Sequence, residues 1–284
     1  MNARIDPSTL ATPEVAVAAI PSGVRVPYVA SGSGEPLVFV HGSLCDYRYW
    51  NSQTAVLSQR FLCVSISLSH YWPLGEASIQ GDFSWKAHIA ELAAFIVAMK
   101  LGPVHLVGHS RGGCVAFHLA REYPQLVKTL TLADPGGPLQ TDGTPEASLP
   151  PATELLRAKV ADLIGDGAIE AGLEMFVDSV SMPGIWRRSS SAFRAMAIAN
   201  AATLPKQFRD PLPAYSRAAA AGLQCRTLLI AGEKSPRMYR NNVDRLAEWI
   251  AQADRHAIAG ASHGMTFTHP AAFNRLVHAF VSEL

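Results

Sequence analysis

Residues 104–113 read VHLVGHSRGG, a β-branched run that ends in Gly108-His109-Ser110-Arg111-Gly112 and a further glycine. A serine with glycine two residues to either side, at a turn from strand into helix, has its hydroxyl raised on a bend too tight for larger neighbours. The helix behind it directs its positive end and its first free N–H groups at any negative charge that develops there. That placement suits a nucleophile in acyl transfer, and Ser110 is assigned the role. Such a site also needs two N–H donors, a base and an acid. The run PLVFV at 36–40 closes in His41-Gly42-Ser43-Leu44. The backbone N–H groups of Ser43 and Arg111 are therefore the expected oxyanion hole, with Leu44 as the alternative to Ser43. His41 is expected to brace that loop by hydrogen bonds.

Ten histidines are present, so position must select the base. The last strand-like run, RHAIAG, leads into Ala261-Ser262-His263-Gly264-Met265 and then a C-terminal helical pattern. That loop puts His263 at the same end of a sheet as Ser110, with Gly264 leaving room for the ring to approach.

The elements that must hold these residues alternate short β-branched runs with longer Ala-rich helical patterns, the signature of a mostly parallel sheet covered by helices. Strands are expected at 24–30, 36–40, 61–67, 104–108, 127–133, 225–232 and 255–260, and helices at 85–100, 112–123, 241–252 and 270–284. About 90 residues separate the fifth of these strands from the sixth, far more than one crossover requires. They open with the Gly/Pro/Thr-rich stretch 135–151 and continue through helical patterns at 154–165, 168–180 and 189–204. The expected organisation is a core of residues 1–134 and 225–284 with a helical cap, 135–224, inserted over one end of the sheet.

Together, GHSRGG, the His-Gly-Ser-Leu loop and the histidine loop resemble the α/β-hydrolase fold, in its serine-hydrolase form with a cap. Most members carry the triad acid after the strand written here as CRTLLIAG, where this chain has Glu233-Lys234-Ser235-Pro236. A hydroxyl cannot replace a carboxylate beside an imidazolium. The superfamily's other location is the end of the strand before the cap. Here that strand is VKTLTLA, followed by Asp134, 24 residues after Ser110. The resemblance therefore implies Asp134 as the acid, with Glu233 as the lesser candidate. Haloalkane dehalogenases, the zearalenone lactonase group and cofactor-free quinolone dioxygenases share that location.

A serine at the elbow implies hydrolysis of a carboxylic ester or lactone through an acyl-enzyme. Two alternatives stand beside it: cofactor-independent oxygenation of quinolone type, and a ligand-binding protein with a retired site. No metal or organic cofactor is implied. Trp186, Phe176, Met265 and Tyr71 are the expected substrate contacts, drawn from the apolar cap residues, the residue after His263 and the Ser-His-Tyr-Trp-Pro stretch at 69–73. Arg111 either meets a substrate carboxylate or forms a salt bridge with cap or sheet.

Composition narrows the partners. With 24 Lys plus Arg, 23 Asp plus Glu and a net charge of +1, nothing favours a nucleic acid. The four cysteines form no CxxC pair, no run approaches a membrane span, and the N-terminus makes a poor signal peptide. The expectation is a cytoplasmic protein acting on a small molecule, with a second copy pairing through the cap as its one macromolecular possibility.

Overall fold

The computed structural model describes residues 14–75, 83–140 and 150–283. The first thirteen residues of the N-terminal reading, residues 141–149 of the expected linker and Leu284 lie outside the described residues. The strands are β1 (Ala16–Ala19), β2 (Arg25–Ser31), β3 (Pro36–Val40), β4 (Leu62–Ile66), β5 (Val104–His109), β6 (Val127–Ala133), β7 (Leu139–Gln140), β8 (Tyr215–Ser216), β9 (Arg226–Gly232) and β10 (Ala253–Ile258). The helices are α1 (Asn51–Leu57), α2 (Trp85–Ala98), α3 (Arg111–Glu122), α4 (Pro151–Gly165), α5 (Ile169–Val180), α6 (Ile185–Arg188), α7 (Ser191–Ala199), α8 (Thr203–Arg209), α9 (Arg217–Ala221), α10 (Arg237–Trp249), α11 (Met265–Thr268) and α12 (Pro270–Ser282).

Eight strands form one sheet in the order β1-β2-β4-β3-β5-β6-β9-β10, antiparallel at β1/β2 and β2/β4 and parallel elsewhere. The central strands read as continuous apolar runs because both faces of the sheet are covered. Alternate residues serve alternate faces: Val38, Val40, Leu106, Leu229 and Ala231 enter one core cluster, while Leu37, Phe39, Val107, Leu228 and Ile230 enter the other. Side chains of α2, α3 and α10 fill the first layer, and those of α1 and α12 the second. Among the described residues no helix is long and apolar enough to cross a membrane.

The inserted helices have their own small core, built on Val160, Leu173, Val177, Trp186, Ala197 and Leu204, with Leu44 of the sheet domain inserted into it. The helical pattern at 189–204 breaks at Asn200–Ala202 into α7 and α8: Pro205 lies in the first turn of α8, and the Asn200 side chain reaches Asp46 and Trp72 as well as the Met196 carbonyl. Tyr215, Ala219 and Ala220 already belong to the main core, so the chain rejoins it before residue 225. The entry and exit of the insertion are joined by β7 and β8, paired in parallel at Leu139↔Tyr215 and Gln140↔Ser216. The Tyr215 hydroxyl donates to the Gly136 carbonyl at 2.8 Å across the same join.

Candidate active site

Ser110 stands at the junction of β5 and α3 with φ 54° and ψ −122°, a conformation that costs a non-glycine residue on the order of 1–3 kcal/mol. The surroundings hold it there. Its N–H donates to the Ala133 carbonyl at 3.0 Å, and its own carbonyl accepts from Gly113 and Gly136, each at 2.9 Å. The flanking glycine is required by close approach: a Cβ on Gly112 would overlap the carbonyl oxygens of Val40 and His41, so α3 can seat its first turn against the end of β3 only without one.

Asp134 follows β6 and is fully buried. Its Oδ2 lies 3.1 Å from His263 Nδ1 and accepts the Ser235 hydroxyl at 2.5 Å, while Oδ1 accepts the Gly232 N–H at 3.3 Å. Strands β6 and β9 are parallel neighbours, with Ala133 opposite Ile230, so their carboxyl ends address the same space beside the loop after β10. Ser235 therefore supports the carboxylate that its neighbour supplies. Glu233 is exposed and accepts from the Gly260 N–H at 2.7 Å, away from the imidazole.

The His263 ring is held by its neighbours. Its backbone carbonyl accepts from His109 Nε2 at 2.9 Å, which leaves His109 Nδ1 as the acceptor for the Tyr49 hydroxyl at 3.0 Å. Burial, reinforced by His263 alongside, keeps His109 well below the ordinary imidazole range and therefore neutral. On the other side the Tyr239 ring stacks on His263 with centroids 3.9 Å apart and planes at 21°. Burial, then the charge of Asp134, pushes the Tyr239 phenol up; its hydrogen bond with Ser110 and the charge of Arg157 act in the opposite direction.

The loop after β3 is clamped to the cap. Ser43 Oγ donates to Gln207 Oε1 at 2.6 Å, Gln207 Nε2 donates to Thr203 Oγ1 at 3.1 Å, and Thr203 Oγ1 donates to the Asn200 carbonyl at 2.7 Å. Asn200 Nδ2 then donates to Asp46 Oδ2 at 2.8 Å, returning to the same loop. His41 Nε2 accepts the Leu68 N–H at 3.1 Å, so its proton is on Nδ1, which donates to the Gly42 carbonyl at 2.8 Å. Burial lowers this imidazole to about 4, and it braces the loop as a neutral group. The Ser43 and Arg111 N–H groups belong to residues on the wall beside Ser110. Arg111 is the first residue of α3, whose first N–H groups have no intrahelical acceptor.

Ser110, His263, Ser43 and Arg111 line one cavity of about 1580 Å³ that the inserted helices help to wall. Phe176, expected to meet substrate, is on its wall with Phe193, Phe208 and Phe267. Three other expected contacts are placed elsewhere. Trp186 is buried in the cap's own core, Met265 is buried under the sheet against α12, and Tyr71 packs on His41 and Phe83. Apolar side chains of that size gain more from close packing than from facing an open cavity, and residue type does not separate the two fates. The Arg111 side chain takes the salt-bridge option: it pairs with Asp210 at 2.7 Å and lies over the Phe83 ring. Tyr239, Gln207 and Arg157 are cavity residues that no motif announced.

A sequence profile described as the alpha/beta hydrolase family matches residues 37–276. The 2-hydroxymuconate semialdehyde hydrolase of Pseudomonas sp. (strain CF600) is 25% identical over 287 residues, covering 96% of this chain and 95% of that protein. Among solved structures, an esterase from Exiguobacterium antarcticum superposes with a TM-score of 0.78 at 19% identity, over 94% of this chain and 98% of that one. A thermophilic esterase from Thermogutta terrifontis superposes with a TM-score of 0.74 at 20% identity, over 95% and 98%.

Proposed function

The chain belongs to the alpha/beta hydrolase family and is a hydrolase with that family's fold, and on that premise we propose that it cleaves a carboxylic ester or lactone of a small apolar or aromatic substrate through an acyl-enzyme on Ser110. The observation that carries the reading is the 3.1 Å contact between His263 Nδ1 and the buried Asp134 carboxylate, on the same cavity as a serine in elbow conformation.

In this mechanism Asp134 holds His263 in the tautomer with its proton on Nδ1, leaving Nε2 to take the Ser110 proton as Oγ attacks the carbonyl carbon. The negative charge on the carbonyl oxygen is met by the Ser43 and Arg111 N–H groups, an arrangement whose single donors are each worth roughly 3 kcal/mol in related enzymes. Collapse expels the alcohol, which takes the proton from His263. Water then attacks the acyl-enzyme with His263 again as base, and release of the acid restores Ser110. The aromatic wall of Phe176, Phe193, Phe208 and Phe267 favours an apolar group beside the scissile bond. Esterase neighbours and a hydrolase relative support this class of reaction.

The test is covalent labelling with a fluorophosphonate together with turnover of 4-nitrophenyl butyrate. Both should be present in the wild type and absent in Ser110→Ala. Oxygen consumption with an aromatic hydroxy substrate that survives Ser110→Ala would replace the hydrolase by the oxygenase, and a protein that takes no label and turns over nothing would be a binding protein.

A further inference from the structure

The cavity wall carries five cations, Lys86, Arg111, Arg157, Arg188 and Arg209, against two carboxylates, Glu154 and Asp210, in a chain whose net charge is only +1. Most of that excess is accounted for locally or lies outside. Arg111 is neutralised by Asp210, Arg188 donates to the Pro183 carbonyl, Lys86 lies over Trp85, and Lys86, Arg188 and Arg209 are all exposed at the rim. Arg157 is different. It projects from α4 half-buried, with its guanidinium 5.3 Å from the centroid of the Phe208 ring on the cavity wall. Among the described residues no carboxylate lies within ion-pair distance of it. Arg157 lines the same cavity as Ser110, Tyr239 and Arg111, and its charge is felt by Tyr239, Arg111 and Glu154.

We propose that Arg157 is an anion subsite, and that the substrate carries a carboxylate which this guanidinium binds while its ester or lactone carbonyl lies at Ser110. A partly desolvated guanidinium without a paired acid is a costly arrangement in a free protein. A bound carboxylate removes the cost, because the planar fork of two N–H donors matches its two oxygens. Burial and the positive charge of Arg111 oppose the charge on Arg157, while Tyr239 and Glu154, one turn away on α4, favour it; an arriving carboxylate adds to the favourable side. The Phe208 ring supports the guanidinium, and the aromatic residues of the same cavity wall accommodate the apolar segment joining carboxylate to ester. Arg111, the residue beside the nucleophile, has its side chain occupied; the cation available to substrate comes from the cap.

The catalytic readout of this subsite rests on the serine-hydrolase reading, so the experiment has a binding arm that does not. Mono-4-nitrophenyl glutarate and 4-nitrophenyl butyrate are compared in the wild type, Arg157→Gln and Arg157→Lys. The anionic ester should be favoured in kcat/KM by the wild type, with the preference shrinking as NaCl is raised. Arg157→Gln should lower kcat/KM for the glutarate about 10- to 100-fold, chiefly through KM, and leave the butyrate within about twofold; Arg157→Lys should retain part of the preference. Equal losses on both esters, or no loss on the glutarate, would overturn the subsite. In the binding arm, Ser110→Ala is titrated calorimetrically with the same glutarate ester, and adding Arg157→Gln should weaken its Kd by a similar factor. An unchanged Kd overturns the subsite. Absence of turnover and of fluorophosphonate labelling, with Kd still dependent on Arg157, would instead sink the hydrolase and leave the subsite standing.

Discussion

Exchanging the acid between two neighbouring strands tests the site at its most unusual point. In Asp134→Asn the amide keeps the carboxylate's shape but presents N–H donors toward His263 Nδ1 and the Ser235 hydroxyl, where Oδ2 now accepts at 3.1 and 2.5 Å. The serine can rotate to accept. The imidazole can satisfy the amide only by placing its own proton on Nε2, which disables it as a base toward Ser110. The expected loss is about 10⁴-fold in kcat, or about 5 kcal/mol of transition-state stabilisation, with unchanged thermal stability. Ser235→Asp added to Asp134→Asn returns a carboxylate to the same space, since Ser235 Oγ already touches the oxygen that His263 uses and aspartate reaches one atom further. The double variant should recover at least tenfold in kcat over Asp134→Asn, measured as initial rates on 4-nitrophenyl butyrate. Ser235→Asp alone sets two carboxylates in contact in a buried site, where both cannot be ionised together. The native state then retains a proton that the unfolded chain releases, so its Tm relative to wild type should fall as pH rises from 5 to 8. Full activity in Asp134→Asn would refute the assignment, and a folded double variant no faster than Asp134→Asn would refute the equivalence of the two strand ends.

Three further outcomes are expected. Gln207→Leu frees the Ser43 hydroxyl from the cap, and a loosened oxyanion loop should lower kcat about tenfold with KM within about threefold, as read from steady-state kinetics. His118 is buried with both ring nitrogens unpartnered, and burial lowers it to about 4. Below pH 6.5 the unfolded chain takes up a proton that the native state refuses, so stability is lost as pH falls from about 6.5 to 4, by up to about 3 kcal/mol for this one group; His118→Phe should flatten the corresponding decline in Tm. Gly112→Ala drives a methyl group into the carbonyls of Val40 and His41 and should lose several kcal/mol of stability, seen as a failure to fold or a Tm lower by more than about 8 °C.

The sheet was legible in the sequence wherever both faces are buried, because β3, β5, β6 and β9 must then be apolar throughout. Strand β1 was not: its four residues bury one side chain, and AVAA carries no alternation to read. The break between α7 and α8 is marked by Pro205, which has no N–H to continue the earlier helix and sits in the first turn of α8, while the Asn200 side chain bonds to Asp46 and Trp72. That Ser110 and His263 face one cavity could be anticipated because strand-end loops hold both. The contact of Asp134 with His263 could be anticipated only by knowing that two strand ends can supply a carboxylate. Trp186, Met265 and Tyr71 misled because hydrophobicity reports removal from water without saying whether core or cavity removes it. Tyr239, Gln207 and Arg157 reach the site through tertiary packing, which leaves no local pattern.

The two-residue ladder between β7 and β8 brings the ends of a long insertion to adjacent strands, about 5 Å apart. A segment with coincident ends is modular. It can be exchanged for another of different length without altering where the sheet domain's chain departs and returns, so the insertion and the sheet domain are separable cassettes. Graft boundaries at Gln140 and Tyr215 would carry Arg157, Phe176 and Gln207 together while leaving Ser110, Asp134 and His263 in place. Among the described residues the two parts meet at polar points that include Ser43 with Gln207, Asp46 and Trp72 with Asn200, Arg111 and Trp85 with Asp210, and Ser262 with Ser181. Those contacts are the compatibility code that any replacement insertion must match.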